Sequence, residues 1–212
     1  MITNPVIDEY IASLIPPRSA LLQRLEREAE EEGIPIVQLA SAQIIRTLLL
    51  LHKPSSILEV GTAIGYSTIW MAEAAPQAKI VTMDIDESRL ARARENLKEA
   101  GCAERVEVLL RDATTGLPAE QYEFDCLFID AAKGQYRTFL DLYLPLVRPG
   151  GMVISDNVLF RGLVATPEEA GKRLRPLVDK LRDYNAELQE RPDLETSFLP
   201  VGDGLAVSIK KQ

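Results

Sequence analysis

The residues best suited to chemistry close two apolar runs. "LFIDAAKGQY" ends its run on Asp130, with Lys133 three residues on, and "GMVISDNVLF" ends another on Asp156 and Asn157. Short apolar runs read as buried strands, so both ends would deliver oxygen ligands to one rim of a sheet. A third run, "SILEVG", feeds into "EVGTAIGYS", where Gly61 and Gly65 let the backbone turn sharply and approach a ligand. The spacing is not GxGxxG and no phosphate-loop lysine follows, which leaves a dinucleotide fingerprint incomplete. Glu59, beside that loop, would repel a pyrophosphate but attract a cationic ligand. Asp84 closes "VTMD" about 20 residues past Gly61, the usual place for an acid that accepts both ribose hydroxyls. Asp112 in "LLRDA" ends the next strand, where it could meet an adenine edge or cap a turn, and Asp86 is placed to cap a helix.

These groups need strands that stop at a common edge. From residue 56 on, "SILEVG", "KIVTMDID", "RVEVLLRDA", "FDCLFID" and "GMVISD" read as strands, with "YSTIWMAEAAP", "ESRLARARENLKEAG" and "QYRTFLDLYLPLV" helical between them. Such alternation indicates βαβ units and an α/β, Rossmann-like parallel sheet covered by helices on both faces. Up to residue 52 the apolar spacing is helical in stretches separated by Pro or Gly, an N-terminal extension (1–52) ahead of the core (53–212) of a single domain. The acidic run "EREAEEEG" within it reads as a solvated helix face. Later, "TPEEAGKRLRPLVDKLRDYNAELQER" predicts one long amphipathic helix, and "LETSFLPVGDGLAVSIKK" predicts two strands joined in a hairpin.

Composition narrows the classes. Hydrophobic residues at 46% and charged residues at 26% suit a soluble globular chain. No run approaches the ~20 apolar residues of a membrane span, and the start shows no signal peptide, so a cytoplasmic protein is expected. Cys102 and Cys126 match no metal or redox spacing and read as reduced thiols. The single histidine, His52, lies at a helix end and reads as structural, which disfavours Ser-His-Asp and Cys-His mechanisms. A net charge of −8 argues against a general nucleic-acid coat and leaves room for a local basic patch.

Taken together, "LEVGTAIGYSTIWMA", "TMDID", "FIDAAKGQY" and "SDNV" resemble the class I S-adenosylmethionine-dependent methyltransferases. More narrowly they are similar to the metal-dependent O-methyltransferases that include catechol and caffeoyl-CoA enzymes. The resemblance implies a seven-stranded sheet ending in an antiparallel hairpin. It implies donor contacts at Glu59, Gly61, Thr62, Gly65, Tyr66, Ser67, Asp84, Asp112, Ala113 and Asp130. It also implies Mg²⁺ (or Mn²⁺) on Asp130, Asp156 and Asn157, in keeping with the preference of hard cations for oxygen. Lys133 resembles the family's catalytic lysine, placed beside Asp130 to take the acceptor's proton or stabilise its oxyanion. A homodimer is implied too, with Tyr10, Ile11 and Leu14 as candidate contacts. Gln43 falls where the family has a donor-side Gly-Gln pair, with Ala42 in place of the glycine.

Within the family, "IDAAKGQY", "DNVLFRGLVA" and "LPVGDGLAVSIKK" resemble the bacterial branch containing the tRNA 5-hydroxyuridine methyltransferase, which makes 5-methoxyuridine at the anticodon wobble position. tRNA is therefore the expected acceptor, with a small catechol-like or hydroxyaromatic molecule as the alternative. Arg161, followed by Lys172, Arg173, Arg175, Lys180 and Arg182, could track phosphates. The late-helix cations read equally as a solvated face paired with Glu168, Glu169, Asp179 and Asp183.

Overall fold

The computed structural model describes residues 4–212. Among them, β1 (Ser56–Val60), β2 (Lys79–Asp84), β3 (Val106–Leu110), β4 (Phe124–Ile129), β5 (Val147–Ser155), β6 (Leu194–Leu199) and β7 (Leu205–Lys210) form one sheet. Its order is β3-β2-β1-β4-β5-β7-β6. The first five strands are parallel, and β7 runs antiparallel to both β5 and β6. The reversed C-terminal hairpin is therefore present as expected. The chain leaves β1 toward β2 on one side and returns to β4 on the other, so β1 and β4 flank the switch point where open α/β sheets leave a crevice.

Helices α4 (Tyr66–Ala74) and α5 (Glu87–Glu99) cover one face together with α2 (Ala20–Glu32) and α3 (Leu39–His52), while α6 (Tyr136–Tyr143) and α7 (Arg175–Glu190) cover the other. Strand β1 shows how sequence sorts the two cores. Ile57 joins Leu22, Ile45 and Ile69 on the first face; Leu58 and Val60 join Leu140 and Leu181 on the second. All residues of β4, "FDCLFI", are buried, as a central parallel strand with two covered faces requires. Full burial of each such aliphatic side chain is worth about 1.5–3 kcal/mol.

The N-terminal segment docks through both cores and charges. Ser19 caps α2, accepting from Leu22 N at 3.3 Å, and Gly33 ends it with φ 65°. Its acidic run is more than a solvated face: Glu28 and Glu32 meet Arg92 of α5 at 3.0 and 2.7 Å, and Glu26 holds Arg18. Such half-exposed pairs contribute a few tenths of a kcal/mol each and mainly fix orientation. Helix α1 (Pro5–Leu14) leaves Val6, Ile7, Tyr10, Ile11 and Leu14 exposed. Among the described residues no helix is long and apolar enough to cross a membrane.

One expected element is shorter than its pattern. The late helix begins at Arg175, with Pro176 in its first turn, and the stretch before it is a 3₁₀ turn at Pro167–Glu169 followed by a bend and a further turn. Pro fits only the start of a helix, where its missing N–H has no partner to lose. Lys172 and Arg173 consequently lie outside the helix.

Candidate active site

A cleft of about 620 Å³ opens at the C-terminal ends of β1–β4. Its floor begins at Gly61, whose φ is 109° and whose missing side chain admits the Asp130 carbonyl; any Cβ there would collide with it. The loop after β1 and the end of β4 are thus in direct backbone contact, and Asp130 N donates to the Val60 carbonyl at 2.9 Å. Gly65, with φ 85°, starts α4 against Ala93 of α5.

Glu59 is placed differently from the expectation of a ligand-facing acid. Strand alternation sends it with Ile57 under the loop, where it is fully buried and absent from the cleft wall. Its carboxylate accepts from Ser67 Oγ at 2.5 Å, Thr82 Oγ1 at 2.6 Å and Thr68 Oγ1. Burial pushes its pKa up to about 7, against the pull of those hydroxyls. Thr62 joins the same network through Thr82 at 2.6 Å. Glu59 therefore stitches β1, β2 and α4 together beneath the glycine loop. Thr62 and Ser67 line the cleft, but their hydroxyls are engaged below it. Tyr66 lines it as well, with its hydroxyl donating to Glu26 of α2 at 2.8 Å.

Asp84 stands at the cleft edge, half-buried. One oxygen accepts from Ala63 N at 2.9 Å and the other from Asp86 N at 3.1 Å. An ionised carboxylate has about four lone-pair sites, so this bracing fixes its direction and leaves acceptors for a diol. Asp112 and Ala113 lie across from it in the lining. Asp112 does cap a turn, accepting from Thr114 N and Oγ1 at 2.8 and 2.7 Å, and the Thr114 hydroxyl holds its pKa below the usual carboxylate range. Asp86 caps α5 through Arg89 N at 3.0 Å.

Several lining residues were not singled out from sequence. Ile85 follows Asp84 with 73% of its surface exposed, an apolar platform in the cleft lining. An isoleucine just past a strand-ending acid was the available signal. Ile36, Val37 and Gln38, between α2 and α3, roof the cleft, whereas Gln43 on α3 does not line it. Arg89 and Arg111 complete the rim.

At the other end, Asp130, Lys133 and Asn157 line the cleft together. Asp156 sits just behind, fully buried. Its Oδ1 accepts from Asn157 N at 2.7 Å, and its Oδ2 has no hydrogen-bond partner among the described residues. Tyr136 of α6 fixes the Asp156 carbonyl at 2.9 Å. Burial drives the Asp156 pKa well up, and the nearby Asp130 charge adds to it. Asp130 is raised by burial too, with Lys133 drawing it part of the way back. Carboxylates that repel one another, Asp156 buried with an orphaned oxygen and Asp130 half-buried beside it, call for a positive charge between them. Together with the Asn157 amide they form an all-oxygen set suited to a hard divalent cation. Among the described residues no three His, Cys, Asp or Glu side chains make a closed metal cage. Two carboxylates and an amide leave coordination positions for an acceptor.

The loop carrying Asn157 is unusual. Asn157, Phe160 and Arg161 all take positive φ, of 57°, 41° and 60°. Each such non-glycine residue costs about 1–2 kcal/mol. Arg161 is exposed, its guanidinium 5.9 Å from the centre of the Phe160 ring. On α7, Arg175 pairs with Asp179 at 2.8 Å and Arg182 donates to the Val164 carbonyl at 2.6 Å, so the solvated, internally paired face describes these two. His52 lies away from the cleft, with Nε2 3.0 Å from the Asp125 carbonyl. Both cysteines are free and buried, and burial pushes the Cys126 thiol up to about 12.

Comparison with known proteins places this geometry. A family model described as O-methyltransferase matches residues 13–211. A catechol O-methyltransferase from Niastella koreensis is 32% identical over 217 residues, covering 97% of this chain and 96% of that protein. A caffeoyl-CoA O-methyltransferase from Eucalyptus gunnii is 32% identical over 180 residues, covering 80% of this chain and 72% of its own. Among solved structures, an O-methyltransferase from Bacillus cereus in complex with SAH superposes with a TM-score of 0.84 at 28% identity, covering 100% of each chain.

Proposed function

The chain belongs to the O-methyltransferase family and is an S-adenosylmethionine-dependent enzyme; from that premise we propose that it methylates a small aromatic acceptor bearing adjacent oxygens, at a cation site made by Asp130, Asp156 and Asn157. The observation that carries the cation site is the buried Oδ2 of Asp156, without a hydrogen-bond partner among the described residues, beside Asp130 and Asn157. Mg²⁺ or Mn²⁺ held there would lower the acceptor hydroxyl's pKa and fix its position.

The chain's own residues do the rest. Asp84, braced by Ala63 N and Asp86 N, directs its free lone pairs at the donor's ribose. Gly61 would let the backbone close on the donor, and Ile85 and Ala113, in the same lining, would hold its adenine. The Ile36–Gln38 roof and the cleft walls keep water from the sulfonium. Lys133 Nζ takes the acceptor's proton or holds its oxyanion. The acceptor oxygen then bonds to the methyl carbon as the carbon–sulfur bond breaks, leaving a neutral thioether. Holding donor and acceptor in line can supply ~7–11 kcal/mol, more than one base contributes.

The order of acceptors differs from that expected from sequence. The relatives named for catechol and caffeoyl-CoA, the net charge of −8 and the internally paired cations of α7 all support a small hydroxyaromatic molecule first. The second reading, 5-hydroxyuridine in tRNA, is favoured by exposed Arg161, close after Asn157 in the chain, and by exposed Lys172, Arg173 and Lys180. Incubating the enzyme with methyl-labelled donor and Mg²⁺ decides the order. Label is expected on catechol or caffeate; label confined to hydroxyuridine-containing tRNA would reverse it. The exposed apolar side of α1 supports the expected homodimer.

A further inference from the structure

We infer that Asp203, in the turn between β6 and β7, is a positioning residue that clamps the loop after β5 and so sets Asn157 for the divalent cation. The inference rests on the reading of Asn157 as a cation ligand. Consecutive backbone N–H groups from Val158 to Arg161 are all taken by two residues of that turn. Val158 N donates to the Gly204 carbonyl at 3.0 Å, Leu159 N and Phe160 N to the Asp203 carbonyl at 3.0 and 3.2 Å, and Arg161 N to the Asp203 carboxylate.

The loop needs such a clamp. Its positive-φ residues, Asn157, Phe160 and Arg161, hold a conformation that persists only where the surroundings over-determine it. From the opposite side, Asn185 of α7 donates to the Val158 carbonyl at 2.9 Å, but it acts before the Phe160–Arg161 pair. The turn is itself wedged in place: a Cβ on Gly204 would overlap Leu159, and one on Gly202 would overlap Ser41 and come within 3.3 Å of Gln38 Oε1. It therefore joins the wall of the donor cleft to the acceptor loop. The carbonyl bonds need no particular side chain at 203, whereas the bond to Arg161 N does. Asp203 is not part of the cleft lining; its charge also reaches Asp156, and Asp203→Asn separates the two contributions by removing the charge while keeping an acceptor for Arg161 N.

The test is Mn²⁺ binding by titration calorimetry to the full chain, with S-adenosylhomocysteine binding without metal as the control. Asp203→Ala is expected to weaken Mn²⁺ about tenfold, the scale of losing a group that orients a metal ligand, with donor-product affinity unchanged. Hydrogen exchange across 157–161 should quicken while β1 and β4 stay protected. Asp203→Asn, which keeps an acceptor oxygen for Arg161 N, should restore affinity to within about twofold of the parent. If the alanine variant does not fold, Asp203→Ser makes the same cut more mildly, its hydroxyl one bond nearer the chain. Equal Mn²⁺ affinity in parent and truncated variants, or an Asn variant as weak as Ala, would overturn the inference alone. No Mn²⁺ binding by the parent protein would instead overturn the cation reading on which it stands.

Discussion

Strand β4 carries an aspartate near each end, and the surrounding protein treats them in opposite ways. Asp125, near the start, is buried, yet its carboxylate accepts from Ser55 N and Oγ at 2.5 and 2.6 Å and from Ser56 N at 3.2 Å, and pairs with Arg148 at 2.7 Å. Burial pushes its pKa up, but the Ser55 bonds and the Arg148 charge more than offset that and hold it low. Asp130, just past the other end, has no such donors among the described residues and faces the buried Asp156; its pKa is raised. A saturated carboxylate knits the fold. An unsaturated pair, offset only in part by Lys133, is what the proposed divalent cation would complete. On the proposed reading, hydrogen-bond saturation separates the structural acid from the functional one more surely than burial does.

The sharpest break of this contrast is Asp156→Ala. Removing one of the two mutually repelling acids should lower single-turnover methyl transfer, at saturating Mg²⁺, by about 10³-fold or more, corresponding to ~4 kcal/mol. Lys133→Ala should cost less, about 10²-fold, because a general base alone supplies that order of rate. Equal losses in the two variants would say that proton transfer, not placement, limits the reaction.

At the opposite end of β4 the expectation inverts. Asp125→Ala should leave the rate per folded enzyme unchanged and lower stability by about 2–3 kcal/mol, by stranding buried donors with partial relief from the half-exposed Arg148. The sign with pH follows. A carboxyl held low in the fold stabilises above its unfolded value of roughly 3.9 and loses that contribution as pH falls through the folded value. Denaturation of parent and variant should therefore converge in acid; a gap that persists there would count against the assignment.

Glu59 offers an effect on stability alone, read from its pH dependence. Its folded pKa of about 7 lies above the usual carboxyl value, so its contribution is complete at low pH and fades as pH rises through about 7. Glu59→Gln should flatten the fall of melting temperature between roughly pH 4.5 and 7. An unchanged slope would show that the Ser67, Thr68 and Thr82 hydroxyls keep it ionised throughout.

Much of this architecture was legible in the chain because parallel strands buried on both faces must be continuous apolar runs, and each ends where the cleft begins. Asp84, Asp130, Asp156 and Asn157 stood out as polar residues closing such runs. What was not legible depended on direction or on distant partners. Glu59 sits two residues from Ile57, and that period alone sends it under the loop instead of toward a ligand. The late helix was over-extended because "TPEEAGKRLRP" keeps apolar spacing across Gly171 and up to Pro176, although its backbone turns first. The pairing of "EREAEEEG" with Arg92 links elements far apart in sequence, which periodicity does not carry. Asp203 lies in the turn of the expected hairpin, but its hold on Arg161 N is visible only once the hairpin folds back on the loop.

Anomalous diffraction from crystals of the active enzyme grown with S-adenosylhomocysteine and millimolar Mn²⁺ tests the central claim most directly. A single strong peak bounded by Asp130, Asp156 and Asn157 is the expected result. Crystals of demonstrably active protein with no density there, or with Mn²⁺ bound elsewhere, would contradict it.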